Sequence, residues 1–392
     1  MANTLLTIDQ ITNEALRLAH EKSSFLGTIN RQFDEEFGRK GGKAGDTLRI
    51  RIPSQYVRRT GSRVMEVQDS EQVKTTLTVA TQDGVDMRFN SREMSLDLDN
   101  FSKLHLEPAM AALISGVESD VLQGVTKLVY NQTGTWGTPP TDLTHFGTAR
   151  AYMNQDLAPK DGNRFLQYDS INMGTIVKGL AGLFQDSAQI KEQYREGMMG
   201  RTSGFDWYEN ERVYPHVSGA DQSGTVNDAS IAEGLSTITT SSVTFAVGDV
   251  FTIANVNKVH PETKATYGRS QQFVVISVDG ANDYTFSPAI YASGAKKNVD
   301  ALPVTGAAVT GFQTASQTKT QALAYHKDAF TFATAALPLM ASAEKCVNRE
   351  YDGISLRVWQ DGDIRNDELL TRIDILYGYS AIRPQWASRI SM

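Results

Sequence analysis

Two glycine-rich segments are the first candidates for chemistry, because backbone N–H groups in glycine loops can cradle phosphates. Residues 38–44 read Gly-Arg-Lys-Gly-Gly-Lys-Ala. The glycine spacing is one residue short of a phosphate-binding loop, and alanine replaces the Ser or Thr that would hold magnesium. Residues 197–204 lack the dinucleotide spacing and are typical of turns that enter a strand at Phe205. Neither segment predicts a nucleotide site.

Metal and nucleophile chemistry has equally little support. The six histidines have no i, i+4 pair, and none lies near the single cysteine, Cys346. We expect Cys346 to be a small buried hydrophobic residue and each histidine to be an ordinary surface or core residue. Asp97 with Asp99 and Asp361 with Asp363 are expected in solvated turns, because neither pair fits a calcium loop. With no Gly-x-Ser-x-Gly elbow and no His-Glu-x-x-His motif, the sequence predicts no enzyme, cofactor or metal.

Composition excludes several further classes of protein. The chain has 392 residues, with 38 Lys and Arg against 45 Asp and Glu, so its net charge of −7 argues against a basic nucleic-acid binder. Its 40% hydrophobic and 21% charged residues indicate a globular protein of two or three domains at roughly 100–200 residues each. The most apolar run, Ala329–Ala343, is interrupted by threonine, proline and serine, so no membrane helix is expected. No secretory leader is recognised and only one cysteine is present, so we expect a reducing cytoplasm.

The elements of the first half follow from hydrophobic spacing. Thr7–Gln10 matches a capping box before apolar residues at helical intervals, which predicts an amphipathic arm helix. Leu48–Ile52 alternates and is followed by proline, and Val73–Val79 resumes a β pattern, so two strands flank a polar, cationic excursion. Phe101–Tyr130 predicts a helix of about 45 Å, long enough for a spine. Shorter helices are expected near Gly147–Leu157 and Ile171–Leu183.

The second half changes character between residues 223 and 316, where only 12 of 94 residues are charged. Several β-rich runs separated by Gly-Asp and Asp-Gly turns predict a small inserted β-barrel. These runs are Val243–Val247, Val250–Ala254, Gln272–Val278 and Tyr284–Phe286. Helical character is expected again around Tyr325–Ala336, and Ile354–Trp359 and Arg372–Tyr377 are predicted to close the chain as two strands.

This order of elements resembles the major capsid proteins of tailed phages, which have the Hong Kong 97 fold. The resemblance is to the type with an inserted β-barrel, such as the coat protein of short-tailed Salmonella phages. It implies an α+β fold with an N-terminal arm, an extended loop, a long spine helix, a mixed α/β body and the barrel. The residues that carry it are Gly45–Ile50, Gly200–Asp206, Gly248–Ala254, Phe273–Val275, Phe286–Pro288 and Arg372–Pro384.

The resemblance also implies domain boundaries. We expect an N-terminal arm at 1–40, the extended loop at 41–95 and a peripheral domain with the spine helix at 96–145. The axial body would take 146–222 and 317–392, with return strands to the peripheral domain, and the inserted barrel would take 223–316.

The function implied is that of a coat protein without catalysis. It would self-assemble as hexamers and pentamers into an icosahedral shell around a double-stranded DNA phage genome, without binding DNA specifically and without a membrane. The expected partners are other copies of the chain, a separate scaffolding protein and a portal. The expected location is the virion, after assembly in the cytoplasm of the host bacterium.

Two features depart from the resemblance. The stretch between Ser218 and Val243 is short, so we do not expect a long barrel loop that reaches a neighbouring capsomer. No lysine lies between Ala44 and Val73, which argues against a lysine crosslink from the extended loop.

Charge is segregated along the first third of the chain. Residues 31–63 carry nine cations against four anions, a net of +5, and residues 66–120 carry eleven anions against four cations, a net of −7. In the fold that the sequence resembles, the extended loop lies across a neighbouring subunit, so we expect the basic tip to meet an acidic surface near that subunit's spine. The predicted interface residues are Arg58, Arg59, Arg63, Asp97, Asp99 and Glu107. The alternative is two solvated faces, since exposed pairs contribute only about 0–1 kcal/mol each.

Two other functions stay open at this point. A phage carbohydrate-binding or hydrolytic enzyme could use Trp207, Tyr208 and Tyr214 as aromatic platforms, although no convincing carboxylate pair accompanies them. A soluble oligomeric enzyme with an unrecognised site is the third reading.

Overall fold

The computed structural model describes residues 8–31, 47–59, 61, 67, 73–90, 102–180, 200–228, 230–340, 345–351, 353–363, 365–366 and 368–392. These residues form four α-helices: α1 Ile8–Lys22, α2 Glu107–Lys127, α3 Thr144–Gln155 and α4 Ser170–Leu180. They also form twenty strands: β1 Thr47–Ile52, β2 Val73–Thr78, β3 Thr81–Asn90, β4 Gln132–Thr133, β5 Arg164–Tyr168, β6 Arg201–Thr202, β7 Phe205–Glu209, β8 Tyr214–Val217, β9 Ser223–Val226, β10 Leu235–Ser241, β11 Val250–Val259, β12 Thr266–Val278, β13 Asp283–Ile290, β14 Ala308–Gly311, β15 Thr318–His326, β16 Phe330–Thr334, β17 Lys345–Tyr351, β18 Ile354–Asp363, β19 Glu368–Ala381 and β20 Ala387–Ser391.

The chain divides into two compact units. The first contains Met1–Ile50, Thr75–Val121 and Phe330–Ile382, and the second contains Arg51–Lys74, Leu122–Ala329 and Arg383–Met392.

The first unit is built on a five-stranded sheet in the order β16-β19-β18-β17, with β3 also paired to β19. Helix α1 packs on β17 and β18. Of the five residues whose spacing predicted this helix, it buries Ile11, Ala15, Leu18 and Ala19, and Ile8 is half-buried. A separate apolar cluster forms where Leu77 and Val79 meet residues of β16 and β19. Strands β1 and β2 pair with each other as expected, which confirms two strands on either side of the polar excursion.

The long helix is confirmed, with shorter bounds than predicted. Its apolar row is buried from Leu106 and Met110 to Val125, and a single π-helical turn at Ser102–Leu106 precedes α2. The helix ends before Tyr130 because the next N–H groups, those of Leu128 and Val129, donate to carbonyls only three residues back. Phe101 lies outside the described residues.

The second unit contains a seven-stranded sheet and a closed barrel. The sheet has the order β4-β20-β15-β5-β7-β6, and β8 also pairs with β15. The barrel closes in the order β10-β13-β12-β11-β14-β9, which confirms the predicted inserted barrel. Its strands begin at Ser223 and end at Gly311.

The barrel has an apolar core of its own. Phe251 stacks on Phe245 with ring centroids 5.2 Å apart and lies 5.6 Å from the ring of Phe273 and 5.8 Å from that of Phe286. These rings belong to a buried cluster whose members all lie between Val226 and Val309. The low charge of this segment therefore reflects side chains that point into a closed interior.

One predicted element is wrong. Residues 325–336 were expected to be helical, but they form the end of β15, a short 3-10 turn at Lys327–Ala329 and the strand β16. All five residues of β16 are buried, including Thr331 and Thr334. Both faces of the strand are therefore covered, and exposed residues do not alternate with buried ones.

Several smaller predictions also differ from the structure. Val243–Val247 is not a strand, since Thr244 forms only an isolated bridge to Asp221, although Val243 and Phe245 do enter the barrel core. Asp361 and Asp363 lie in β18, not in a turn. The chain closes with a third strand, β20, which the sequence did not predict.

Cys346 is half-exposed on β17, opposite Trp359 of β18, and not buried as expected. β17 is the edge strand of its sheet, so a side chain there keeps partial contact with solvent. Among the described residues, no helix is long and apolar enough to cross a membrane.

The separate core generates a prediction about the barrel. We expect residues 223–316, expressed alone, to give dispersed amide resonances and a cooperative melt, because the core residues all lie inside this range. Phe251→Ala should cost about 3–5 kcal/mol and unfold the fragment, whereas Val278→Ala, at a side chain 46% exposed, should change little. A random-coil spectrum for the unmutated fragment would show that its core is shared with the rest of the chain.

Candidate functional site

The predicted interface residues fall in three places. Arg58 and Arg59 are exposed in the irregular segment that follows β1, and Glu107 is half-buried at the first residue of α2. Arg63, Asp97 and Asp99 lie outside the described residues. Contact between these groups was expected across two subunits, so it stays a prediction.

The aromatic residues of the enzyme alternative do not form a platform. Trp207 is 5% exposed, its Nε1 donates to the carbonyl of Thr202 at 3.0 Å, and its ring lies 4.6 Å from that of Phe146. Tyr214 is also 5% exposed. Only Tyr208, at 37%, could stack on a sugar ring. Trp207 and Tyr214 are core residues.

Within the described ranges, no group of three His, Cys, Asp or Glu residues could hold a metal ion. One cluster of buried polar and charged side chains lies in the second unit, where the barrel meets the seven-stranded sheet. We call this contact the barrel junction. The junction has two parts. In the first, the barrel turn Ala246–Asp249 lies on one face of the sheet. In the second, the barrel strands β11 and β12 lie beside β4 and the end of α3.

Strand register places four polar side chains on one sheet face. Tyr214 of β8 is paired with Gln321 of β15, and His216 with Lys319. Arg389 of β20 is paired with Leu323. Because side chains alternate with a period of two, Tyr214, His216, Gln321 and Arg389 share one face. The turn Ala246–Asp249 contacts this face.

Asp249 is the centre of the contact. Its carboxylate has no exposure to solvent. Oδ1 accepts a hydrogen bond from Nε2 of His216 at 2.6 Å. Oδ2 accepts three more, from the N–H of Gly219 at 2.9 Å, Nε2 of Gln222 at 2.9 Å and the N–H of Ala246 at 2.8 Å. One buried carboxylate therefore joins the sheet, the chain that enters the barrel and the barrel's own turn.

Two glycines make this packing feasible. A Cβ on Gly219 would collide with the carbonyl oxygen of Thr244. Gly248 has φ of +96°, a conformation that costs other residues energy. The Gly248–Asp249 pair, recognised in the sequence only as a turn, thus presents the carboxylate to its donors.

His216 has a defined proton arrangement. A carboxylate only accepts, so Nε2 carries the hydrogen that Asp249 receives, and Nδ1 accepts from the hydroxyl of Tyr214 at 2.9 Å. Burial lowers the pKa of His216, the hydrogen bond to Asp249 raises it in part, and the positive charge of Arg389 lowers it further. Burial raises the pKa of Tyr214 to about 12. Both groups are neutral at pH 7.

Arg389 holds the same turn from β20. Its Nη1 donates to the carbonyl of Gly248 at 2.8 Å and to Oε1 of Gln321 at 3.1 Å. The guanidinium is fully buried, and burial lowers its pKa to about 10. It stays charged at pH 7 and fixes the backbone next to Asp249.

A buried ion pair forms the second part of the junction. Nζ of Lys258, on β11, lies 2.6 Å from the carboxylate of Asp156, just after α3, and the two side chains are 4% and 6% exposed. The carboxylate also accepts from Nδ2 of Asn131 at 3.1 Å, and the backbone carbonyl of Asp156 accepts from Nε1 of Trp386 at 3.0 Å. Burial lowers the pKa of Lys258, and Asp156 raises it.

Glutamines complete the junction. The N–H of Gln132 donates to Oε1 of Gln272 at 2.9 Å, and Nε2 of Gln272 donates back to the carbonyl of Gln132 at 2.9 Å. Nε2 of Gln313 donates to Oε1 of Gln132 at 3.0 Å. A small apolar cluster accompanies these polar contacts, in which Tyr130 packs against Val250 and Val274 of the barrel.

Sequence reasoning missed the junction. The available signal was polarity where the pattern is apolar: Lys258 ends the β-rich run of β11, and Gln272 directly precedes Phe273 in β12. Lys258 and Asp249 are two of the few charges in the barrel segment. Their partners lie 102 and 33 positions away, so no local spacing identifies them.

Comparison with known proteins places the chain in a family. The family model described as "P22 coat protein - gene protein 5" matches residues 70–389. The chain belongs to the P22 coat protein family. It is therefore a major capsid protein of the type that the sequence resembles, which assembles with itself into a shell and is part of the virion.

Solved structures with lower similarity accompany this match. A structure from Mycobacterium phage Che8 is 11% identical in sequence to this chain. The match covers 94% of this chain and 90% of that chain, with a TM-score of 0.49. The capsid of cyanophage P-SCSP1u is 10% identical over 89% of this chain and 84% of that one, with a TM-score of 0.44. The CUS-3 coat protein I-domain is 33% identical, with 23% of this chain and 95% of that chain covered and a TM-score of 0.19. None of the curated proteins matches, so the assignment rests on the P22 coat protein model.

The buried ion pair generates a stability prediction. We expect Asp156→Ala to destabilise the chain by about 3–5 kcal/mol, because Lys258 is left buried without its counter-ion. The double variant Asp156→Leu with Lys258→Met should recover most of this loss, since neither charge remains. Urea unfolding followed by fluorescence measures both.

The matched control is the ion pair of Glu14 and Arg17 on α1, whose side chains are 22% and 59% exposed. Glu14→Ala should cost no more than about 0.5 kcal/mol. Equal losses from Asp156→Ala and Glu14→Ala would contradict the role given to the buried pair.

Proposed function

We propose that this member of the P22 coat protein family forms hexamers and pentamers of a closed icosahedral shell around double-stranded DNA. A separate scaffolding protein and a portal take part, and assembly occurs in the cytoplasm of the host bacterium. The family match over residues 70–389 supports the proposal. Membership in a family of shell proteins is also what supports the absence of catalysis.

The acidic balance of the chain fits a shell that contains DNA without binding it specifically. A net charge of −7 provides few surplus cations for phosphate contacts. A lining that neutralised many phosphates would hold the genome tightly and in a salt-dependent way. A weakly interacting wall lets the genome move out through the portal.

The proposed domains keep the boundaries that the sequence suggested: arm 1–40, extended loop 41–95, peripheral domain 96–145, body 146–222 with 317–392, and barrel 223–316. The barrel strands, which run from Ser223 to Gly311, support the last of these. The pairing of β1 with β2 supports the second.

The extended loop supplies the proposed contact between subunits. Arg58 and Arg59 are exposed beyond β1, within a segment of net charge +5, and the segment that contains β3 and most of α2 has a net charge of −7. We propose that the loop's arginines, including Arg63, meet Asp97, Asp99 and Glu107 of a neighbouring subunit. Complementary charge of this kind fixes register even where it adds little affinity.

Co-expression with the scaffolding protein tests the function. We expect closed particles in electron micrographs and a fast-sedimenting species, because the family forms shells. Sedimentation that shows only monomers or dimers with and without the scaffold, from a chain with a cooperative melt, would contradict the proposal.

The loop contact has its own prediction. Replacing Arg58, Arg59 and Arg63 together by Glu should leave the melting temperature of the monomer nearly unchanged, since exposed substitutions cost within about 0.5 kcal/mol. The same variant should not form closed particles, because the new carboxylates face an acidic surface. Wild-type assembly should weaken as salt rises, since salt screens exposed charges.

Two controls separate charge from other effects. Lysine at the same three positions keeps the charge and should permit assembly. Glutamate at three exposed lysines elsewhere, Lys160, Lys327 and Lys345, makes the same change in net charge and should also permit assembly.

A rescue variant tests the proposed partners. Adding Asp97→Arg and Asp99→Arg to the triple glutamate variant should restore particles. Normal particles from the triple variant alone would refute the contact.

A further inference from the structure

We propose that His216 makes the attachment of the barrel to the seven-stranded sheet dependent on pH. In this proposal, the junction opens when the imidazole takes a proton from solvent on Nδ1, and the turn Ala246–Asp249 then leaves the sheet face. The proposal rests on the geometry around the imidazole, which has no exposure to solvent and whose ring nitrogens both have partners.

The hydrogen bonds of His216 are those of a neutral imidazole. Nε2 donates to Asp249, and Nδ1 receives the hydroxyl hydrogen of Tyr214. A proton on Nδ1 would turn this acceptor into a donor, so the hydroxyl of Tyr214 would have to accept instead. Its hydrogen would then need a new acceptor in a space where Tyr214 is 5% exposed.

The positive charges around His216 oppose a further cation. Arg389 from β20 and Lys127 from the end of α2 both act on it and lower its pKa. Lys319 of β15 is its direct partner in strand register. The remaining neighbours are Asp249 from the barrel turn, Tyr214 from β8, and the edge of the Trp136 ring at 5.9 Å. Among these described neighbours, Asp249 is the anion beside three cations, and its carboxylate already accepts four hydrogen bonds.

The direction of the pH effect follows from linkage. Burial lowers the pKa of His216 in the closed junction, whereas an exposed imidazole has a pKa of about 6.5. The closed junction is therefore fully favoured above pH of about 6.5 and loses stability as pH falls from there toward the lower value. Within this window, each unit by which pH falls increases the ratio of open to closed junction by up to about tenfold.

Opening at this place would act on the whole barrel. The segments that enter and leave it are joined to each other, since the hydroxyl of Ser218 donates to the carbonyl of Thr314 at 2.5 Å and accepts from the N–H of Gln317 at 3.0 Å. Asp249 fixes the entering segment through Gly219 and Gln222. When the turn leaves the sheet face, Asp249 loses the hydrogen bond that His216 of the sheet donates to its carboxylate.

Hydrogen exchange of the full-length monomer, followed by mass spectrometry, tests the proposal. Rates in peptides that cover 214–222 and 244–250 are measured at pH 7.5, 6.5 and 5.5 and corrected for intrinsic exchange. We expect corrected opening to rise by up to about fivefold from pH 6.5 to 5.5, because an exposed imidazole is already half-protonated at about pH 6.5. His216→Gln keeps a donor for Asp249 but cannot titrate, so it should abolish the rise.

His326→Gln is the matched control. His326 is also buried and bonded to a carboxylate, that of Asp161 at 3.0 Å, but it lies at the far end of β15 from the junction, so the rise at 214–222 and 244–250 should persist. A flat wild-type profile, or an equal rise in His216→Gln, would overturn the proposal. If His216→Gln does not fold, the wild-type imidazole is titrated by NMR. A midpoint below 6.5 that tracks the exchange supports the proposal, and exchange that does not follow the titration of His216 overturns it.

Discussion

The buried carboxylate of Asp249 is the constraint on which the barrel junction depends. A charge without access to water is tolerated only when hydrogen bonds and opposite charges replace its hydration, and removing such partners costs several kcal/mol. The four donors come from β8, from two positions of the entering chain and from the barrel's own turn. They can surround one carboxylate only if these three parts of the chain take a single arrangement. The position of the barrel on the sheet is therefore set by hydrogen-bond geometry.

Stability and orientation come from different interactions in this part of the molecule. The rings of Phe245, Phe251, Phe273 and Phe286 fill the barrel, and apolar burial of this kind stabilises a domain without favouring one orientation toward its neighbours. Hydrogen bonds depend on direction, and Asp249, the Asp156–Lys258 pair and the Gln132–Gln272 pair supply them outside the barrel core. A shell protein benefits from this division, since a fixed barrel on every subunit presents the same surface at every position.

Local patterns in the sequence predicted the helices and strands that have one apolar and one polar face. Helix α1 shows apolar residues at helical spacing, and β1 alternates up to a proline, so both were identified. β16 was expected to be helical, but all five of its residues are buried, so this strand has no exposed face. The junction was missed for a different reason: Arg389 and Gly248 are 141 residues apart, and nothing local in the sequence indicates that they meet. The interface arginines stay a prediction, because contacts between subunits depend on two copies of the chain.

The central claim is that the barrel has a closed core of its own and is held to the rest of the second unit by a separate junction of polar groups and a small apolar cluster. Native-state hydrogen exchange of the full-length chain across a urea series tests it most directly. The account predicts that amides of β10 to β14 share one opening free energy and one urea dependence, and that these differ from the values for β5, β15 and β20. A single isotherm for all these strands would contradict it, because barrel and sheet would then open as one cooperative unit.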